Sequence, residues 1–173
     1  MPRELATYLI LFLALLLAQV LICNHILLFG VAMPIIFIYL IIRLPMSMSV
    51  SNVLTIAFFF GAIIDIFSDT AGINAFSCTV LAMCRKPIYG YYAGHEADVA
   101  LLTPAISTLG LYKYIKYMAT LVVIYFIISY SIIYFSFMHL SDIIGRIISS
   151  AALTALLLTG IDSLIIDRRD RKI

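Results

Sequence analysis

What most constrains this chain is a succession of apolar runs, each long or nearly long enough to cross a bilayer. A transmembrane helix needs about 20 apolar residues, within a range of about 17–25. Six runs stand out, at 5–23, 27–42, 53–67, 73–84, 118–138 and 143–166. Of the 173 residues, 64% are hydrophobic and 12% charged, whereas soluble domains carry about 25% charged residues. A water-soluble fold of this length could not hide that much apolar surface. The expectation is an all-α integral membrane protein, one membrane domain over 1–173, built as a bundle of six transmembrane helices. The runs at 53–67 and 73–84 are short, so that hairpin is expected to lie inside the bundle, where irregular backbone is tolerated.

The first run is too long for a signal-peptide h-region of about 7–15 residues, and no A-x-A-like site follows it. It reads as a retained first helix. With the N-terminus in the cytoplasm, ten of the eleven basic residues fall on the inner side, from Arg3 and Arg43 to Arg85, Lys86, Lys113, Lys116 and the terminal "DRRDRK". Arg146 alone lies toward the outer side. This asymmetry predicts both termini inside. The longest inner connection, 85–117, then carries Tyr112, Tyr114 and Tyr117 beside Lys113 and Lys116, an interfacial belt.

Little in the chain suggests catalysis. Cys23, Cys78 and Cys84 form no CxxC pair and read as small apolar residues. No phosphate-binding loop, GxSxG or HExxH is present. His95, Glu96 and Asp98 could hold a metal, but a solvated polar loop is the simpler reading, and no metal or cofactor is expected. His25 and His139 read as turn residues.

The charges at membrane depth are more informative, because such groups usually face the bundle interior and pair. In "FFFGAIIDIFSDTAGINAFS", Asp65 sits in an apolar run, with Asp69, Gly72 and Asn74 following. Asp65 and Arg146 fall at similar depth, so a cross-helix ion pair is one expectation. Asp142, four residues before Arg146, is a rival partner, and reach toward headgroups is a third reading. Asp162 ends a stripe of Ser149, Ala152, Ala155 and Thr159, which share one face of a helix and would let another backbone approach. Alternatively, Asp162 reaches toward Arg168 or water. Gly61 and Gly72 suit close backbone approach or positive φ, and Asn74 can cap a helix start. Asp65 with Asn74 is the one pair on the outer side that an intramembrane enzyme could use. The preferred reading is a polar knot holding a tight hairpin.

That hairpin resembles the rod shape-determining MreD family in its Bacteroidetes-type form, through Gly61, Asp65, Phe67, Ser68, Gly72, Asn74 and Ala75. The segment "QVLICNHILLFGVAMPIIFIYLIIRLP" is also similar, through Gln19, Asn24, Phe29, Gly30, Pro34, Tyr39 and Pro45. The resemblance implies a non-enzymatic scaffold of the cell-elongation complex in the bacterial inner membrane. Its implied partners are membrane lipids, the bitopic protein MreC, the actin-like MreB, and RodA with its class B penicillin-binding protein. No nucleic acid is implied, and homo-oligomerisation stays open. The family's fold is thought similar to the S-components of energy-coupling-factor transporters, which dock through Ala-x-x-x-Ala. Here Ala14 and Ala18 have that spacing, so a vitamin-binding subunit is the alternative. The short outer loops favour the scaffold.

Overall fold

The computed structural model describes residues 2–23, 33–94, 103–134 and 140–170. Seven helical segments and no strand occur among them: α1 (Pro2–Leu21), α2 (Ile38–Arg43), α3 (Val50–Ser68), α4 (Ile73–Ala93), α5 (Ile106–Leu109), α6 (Leu111–Ile133) and α7 (Leu140–Asp170). Among the described residues, three helices are long and apolar enough to cross a membrane: α3, α6 and Ile143–Asp162 of α7. Large apolar side chains on their surfaces stay exposed, including Phe59 and Ile66 on α3, Ile127 on α6 and Leu156 on α7. Apolar residues facing both inward and outward are compatible with a membrane protein.

The expected second run does not form one helix over its described part. Residues 33–36 are non-helical, and α2 is only six residues long. Pro34 explains the interruption. It has no N–H to donate, and its ring disfavours helical backbone at Met33. The short helix that follows is the centre of the molecule. Phe37 through Ile42 are each no more than 3% exposed. Helices α1, α4 and α6 pack on α2.

A buried, interrupted helix leaves main-chain groups without helical partners, and these must be met from elsewhere. Side chains of the surrounding helices meet them. Ser150 Oγ accepts from Met33 N–H at 3.2 Å, and Thr154 Oγ1 accepts from Ile35 N–H at 3.1 Å. Gln19 on α1 both accepts from Ile36 N–H at 2.9 Å and donates to the Pro34 carbonyl at 3.3 Å. At the other end, Arg85 is fully buried and donates to the carbonyls of Ile41 at 2.8 Å and Pro45 at 2.9 Å. A guanidinium suits this place, since the C-terminus of a helix carries partial negative charge.

Arg85 also explains why α4 outruns its expected end at Cys84. "RKP" reads as a stop in sequence, yet α4 continues through Pro87 to Ala93. The charges do not break the helix because each has an acceptor: Arg85 turns inward, and Lys86 Nζ donates to the Met48 carbonyl at 2.8 Å. The connection expected over 85–117 is therefore helical at both ends. Its second end starts α6 at Leu111, where the Lys116 ammonium lies 4.2 Å from the Tyr112 ring centroid.

On α7 the buried face is Ser150, Ala151, Thr154, Leu158 and Asp162. Of the expected stripe only Asp162 is fully buried, and Ser149, Ala155 and Thr159 are half-buried. Ala152 is exposed, Ser149 Oγ bonds back to the Gly145 carbonyl at 2.8 Å, and Thr159 Oγ1 to that of Leu156 at 2.8 Å. The row with i, i+4 spacing wins because its hydroxyls satisfy the interrupted segment. We therefore expect Thr154→Val to destabilise the fold by about 1–3 kcal/mol, by leaving the Ile35 N–H without an acceptor. Thr159→Val should change it by less than about 0.5 kcal/mol. Thermal unfolding of the purified proteins in detergent compares the two; equal effects would contradict this seam.

Candidate functional site

Two polar clusters stand out in this apolar bundle. The first is at the α3–α4 turn. Helix α3 ends at Ser68, and Asp69 adopts the left-handed conformation, φ 52°, with its N–H on the Asp65 carbonyl. Gly72, at φ 79°, then starts α4 as its N-cap. An N-cap residue normally offers a side-chain oxygen to the exposed N–H groups of the first turn. Gly72 has none, and Asp65 supplies it from the preceding helix. Asp65 Oδ1 accepts from Asn74 N–H at 3.0 Å and Oδ2 from Ala75 N–H at 2.8 Å. Oδ1 also accepts from Asn74 Nδ2 at 3.0 Å and from the Thr70 hydroxyl. The carboxylate is thus held by the positive end of a helix and by charge-assisted hydrogen bonds, which allows it to be only 5% exposed.

The knot continues inward. Asn74 Oδ1 accepts from the Tyr125 hydroxyl on α6, and one turn further along α4 Ser129 Oγ donates to Ser77 Oγ at 2.9 Å. Gly61 lets α3 and α4 meet. A Cβ there would lie 2.6 Å from both the Ala75 Cα and the Asn74 carbonyl oxygen, so the two backbones touch. Of the other residues in this motif, Ser68 closes α3 and Phe67 is exposed.

The expected Asp65–Arg146 ion pair does not form. Four neutral donors from the turn and the α4 N-terminus surround the Asp65 carboxylate. Similar depth along two helices fixes neither their facing sides nor which donors are nearer. The side chains of Asp142 and Arg168 lie outside the described residues, as do His25, His95, Glu96, Asp98 and His139.

Among the described residues, the ion pair is instead Arg43–Asp162, at 2.8 Å. It belongs to the second cluster, around the C-terminal end of α2. Asp162 is fully buried, and its Oδ1 also accepts from the Tyr39 hydroxyl at 2.6 Å. Arg43 reaches the Pro104 carbonyl at 3.4 Å, tying the segment before α5 to this end. The cluster is less completely satisfied than the first. Among the described residues, the Tyr117 hydroxyl is buried without a hydrogen-bond partner, whereas the Tyr114 hydroxyl lies beside Arg43 and Asp162. The last residue of the expected stripe, Asp162, is thus buried against a cation and a tyrosine of the α2 segment.

A cavity of about 220 Å³ lies between the first cluster and the segment around Pro34, lined by Gln19, Phe37, Asn74, Tyr125, Ser129 and Tyr130 among others. It is smaller than the usual small-molecule site of about 300–1,000 Å³. Its amides already bond within the protein, Gln19 to the segment around Pro34 and Asn74 to Asp65 and Tyr125. Among the described residues, no three His, Cys, Asp or Glu side chains group as metal ligands would.

Compared with protein-family models, curated proteins and solved structures, the chain has no significant match.

The knot predicts a clear contrast. Gly61→Ala forces α3 and α4 apart and should lower the unfolding midpoint. Gly90→Ala, where a Cβ meets nothing within 4 Å, should be neutral or stabilising by up to about 1 kcal/mol. Asp65→Asn retains the shape but turns one acceptor into a donor facing an N–H. We expect it to cost about 2–3 kcal/mol, read as a lower midpoint in the same detergent assay.

Proposed function

We propose that this protein is a non-enzymatic, six-span scaffold of the bacterial inner membrane, with both termini cytoplasmic. On this reading it acts in cell elongation by binding an MreC-like bitopic protein, as the resemblance to the MreD family implies. One observation carries the proposal. Several residues of that resemblance, drawn from two separate segments, take part in the bundle's buried polar contacts. Gly61, Asp65, Gly72, Asn74 and Ala75 build the α3–α4 knot. Gln19, Pro34, Tyr39 and Pro45 build the supports of α2. Asn24, Phe29 and Gly30 lie outside the described residues. A pattern that specifies a rigid framework suits a protein that works by presenting surfaces.

The alternative, a vitamin-binding transporter subunit, is weaker. The cavity is small, and its amides are committed to the fold. It predicts tight binding of a small vitamin and a requirement for partner ATPases.

The test is co-purification of the tagged chain from native membranes together with the MreC-like protein and the ATPase-like partner. We expect the MreC-like protein to accompany it. Asp65→Ala should reduce that capture several-fold, in step with the loss of folded protein. Full capture and normal cell shape in this variant, or recovery of the ATPase instead, would overturn the scaffold reading.

A further inference from the structure

A groove of about 780 Å³ runs along the exposed side of the α3–α4 hairpin. Its base is small, with Ala62 from α3 and Ala75 and Thr79 from α4, because the helices touch at Gly61. Phe58, Ile66 and Phe76 form its sides and are 50%, 78% and 56% exposed. It extends from Phe58 to Asp69, about 16 Å or three helical turns. Small residues flanked by bulky ones make a surface on which another helix can sit closely.

The charge in this groove selects its occupant. Asp65 and Asp69 both line the end near the turn, and among the described residues no Lys, Arg or His lines the groove. Four neutral donors hold Asp65, and Asp69 is exposed. Beside low-dielectric surroundings, such a pair of carboxylates attracts a cation. We propose that the groove takes a single transmembrane helix of a partner, which places a Lys or Arg against Asp69 at the turn end. This rests on the scaffold reading, in which the bitopic protein supplies that helix.

The experiment uses the full chain co-expressed with the MreC-like protein, and a photo-crosslinking residue at Ile66, at Phe76 or, on another face, at Ile127. Crosslinks to the bitopic protein's transmembrane helix are expected from the first two positions and at least about fivefold fewer from the third. Asp69→Asn, which keeps a residue tolerant of positive φ, should lower the crosslink yield about fivefold. Neutralising the helix's basic residue should do the same, and combining both changes should cost no more than either alone. Co-purification with crosslinks only from Ile127 would overturn the groove and leave the scaffold standing. Crosslinks from the groove only to lipid, or only to a second copy, would also overturn it. Failure of co-purification would overturn the scaffold reading and the named partner together.

Discussion

The structure depends on how the main chain of residues 33–46 finds hydrogen-bond partners inside an apolar bundle. An unpaired buried amide or carbonyl costs as much as several good packing contacts gain. The interruption at Pro34 therefore makes the neighbouring helices responsible for one another. Gln19 of α1, Ser150 and Thr154 of α7, and Arg85 of α4 each reach the same short segment. None of these helices can slide along α2 by a turn without exposing a buried polar group. The order of the bundle follows from that condition more than from general hydrophobic packing, which fixes no register in apolar surroundings.

How much of this could be read in the sequence depends on the range of each interaction. Local features were legible. Helix α3 spans Val50–Ser68, close to the apolar run at 53–67, and the glycines around Asp65 mark a close approach and a positive φ. Long-range pairings were not. Arg43 and Asp162 are 119 residues apart; Asp162 stands out as the end of a stripe, but nothing near it in the chain points to Arg43. The working face of α7 was misjudged for a related reason. Small residues mark where a helix could pack, but here the i, i+4 hydroxyls are fixed by the needs of a distant non-helical segment. Arg85 was hidden by its neighbours, since "RKP" has the composition of a loop.

Two buried charges, Asp65 and Arg85, do similar work at different places along α4. Asn74 and Arg85 are separated along that helix by about 16 Å. At its start, a carboxylate meets free N–H groups; eleven residues on, a guanidinium meets free carbonyls of α2. Each charge lies at the helix end of opposite partial charge, so each is stabilised where it is buried. The same helix that receives the cap from α3 provides the cap to α2, which couples the hairpin to the centre of the bundle.

That coupling bears on what Asp65 can do. A catalytic base needs a lone pair free to take a proton, and its neighbours must tolerate the change of charge. Asp65 already accepts four hydrogen bonds, two of them from the first-turn amides of α4. Protonating it would weaken the cap on the helix that carries Arg85, and so loosen the support of α2 as well. The place of Asp65 in the structure is that of a cap supplied across the turn to the start of α4. The charge that stands out in an apolar run is thus the one that joins the end of α3 to the start of α4.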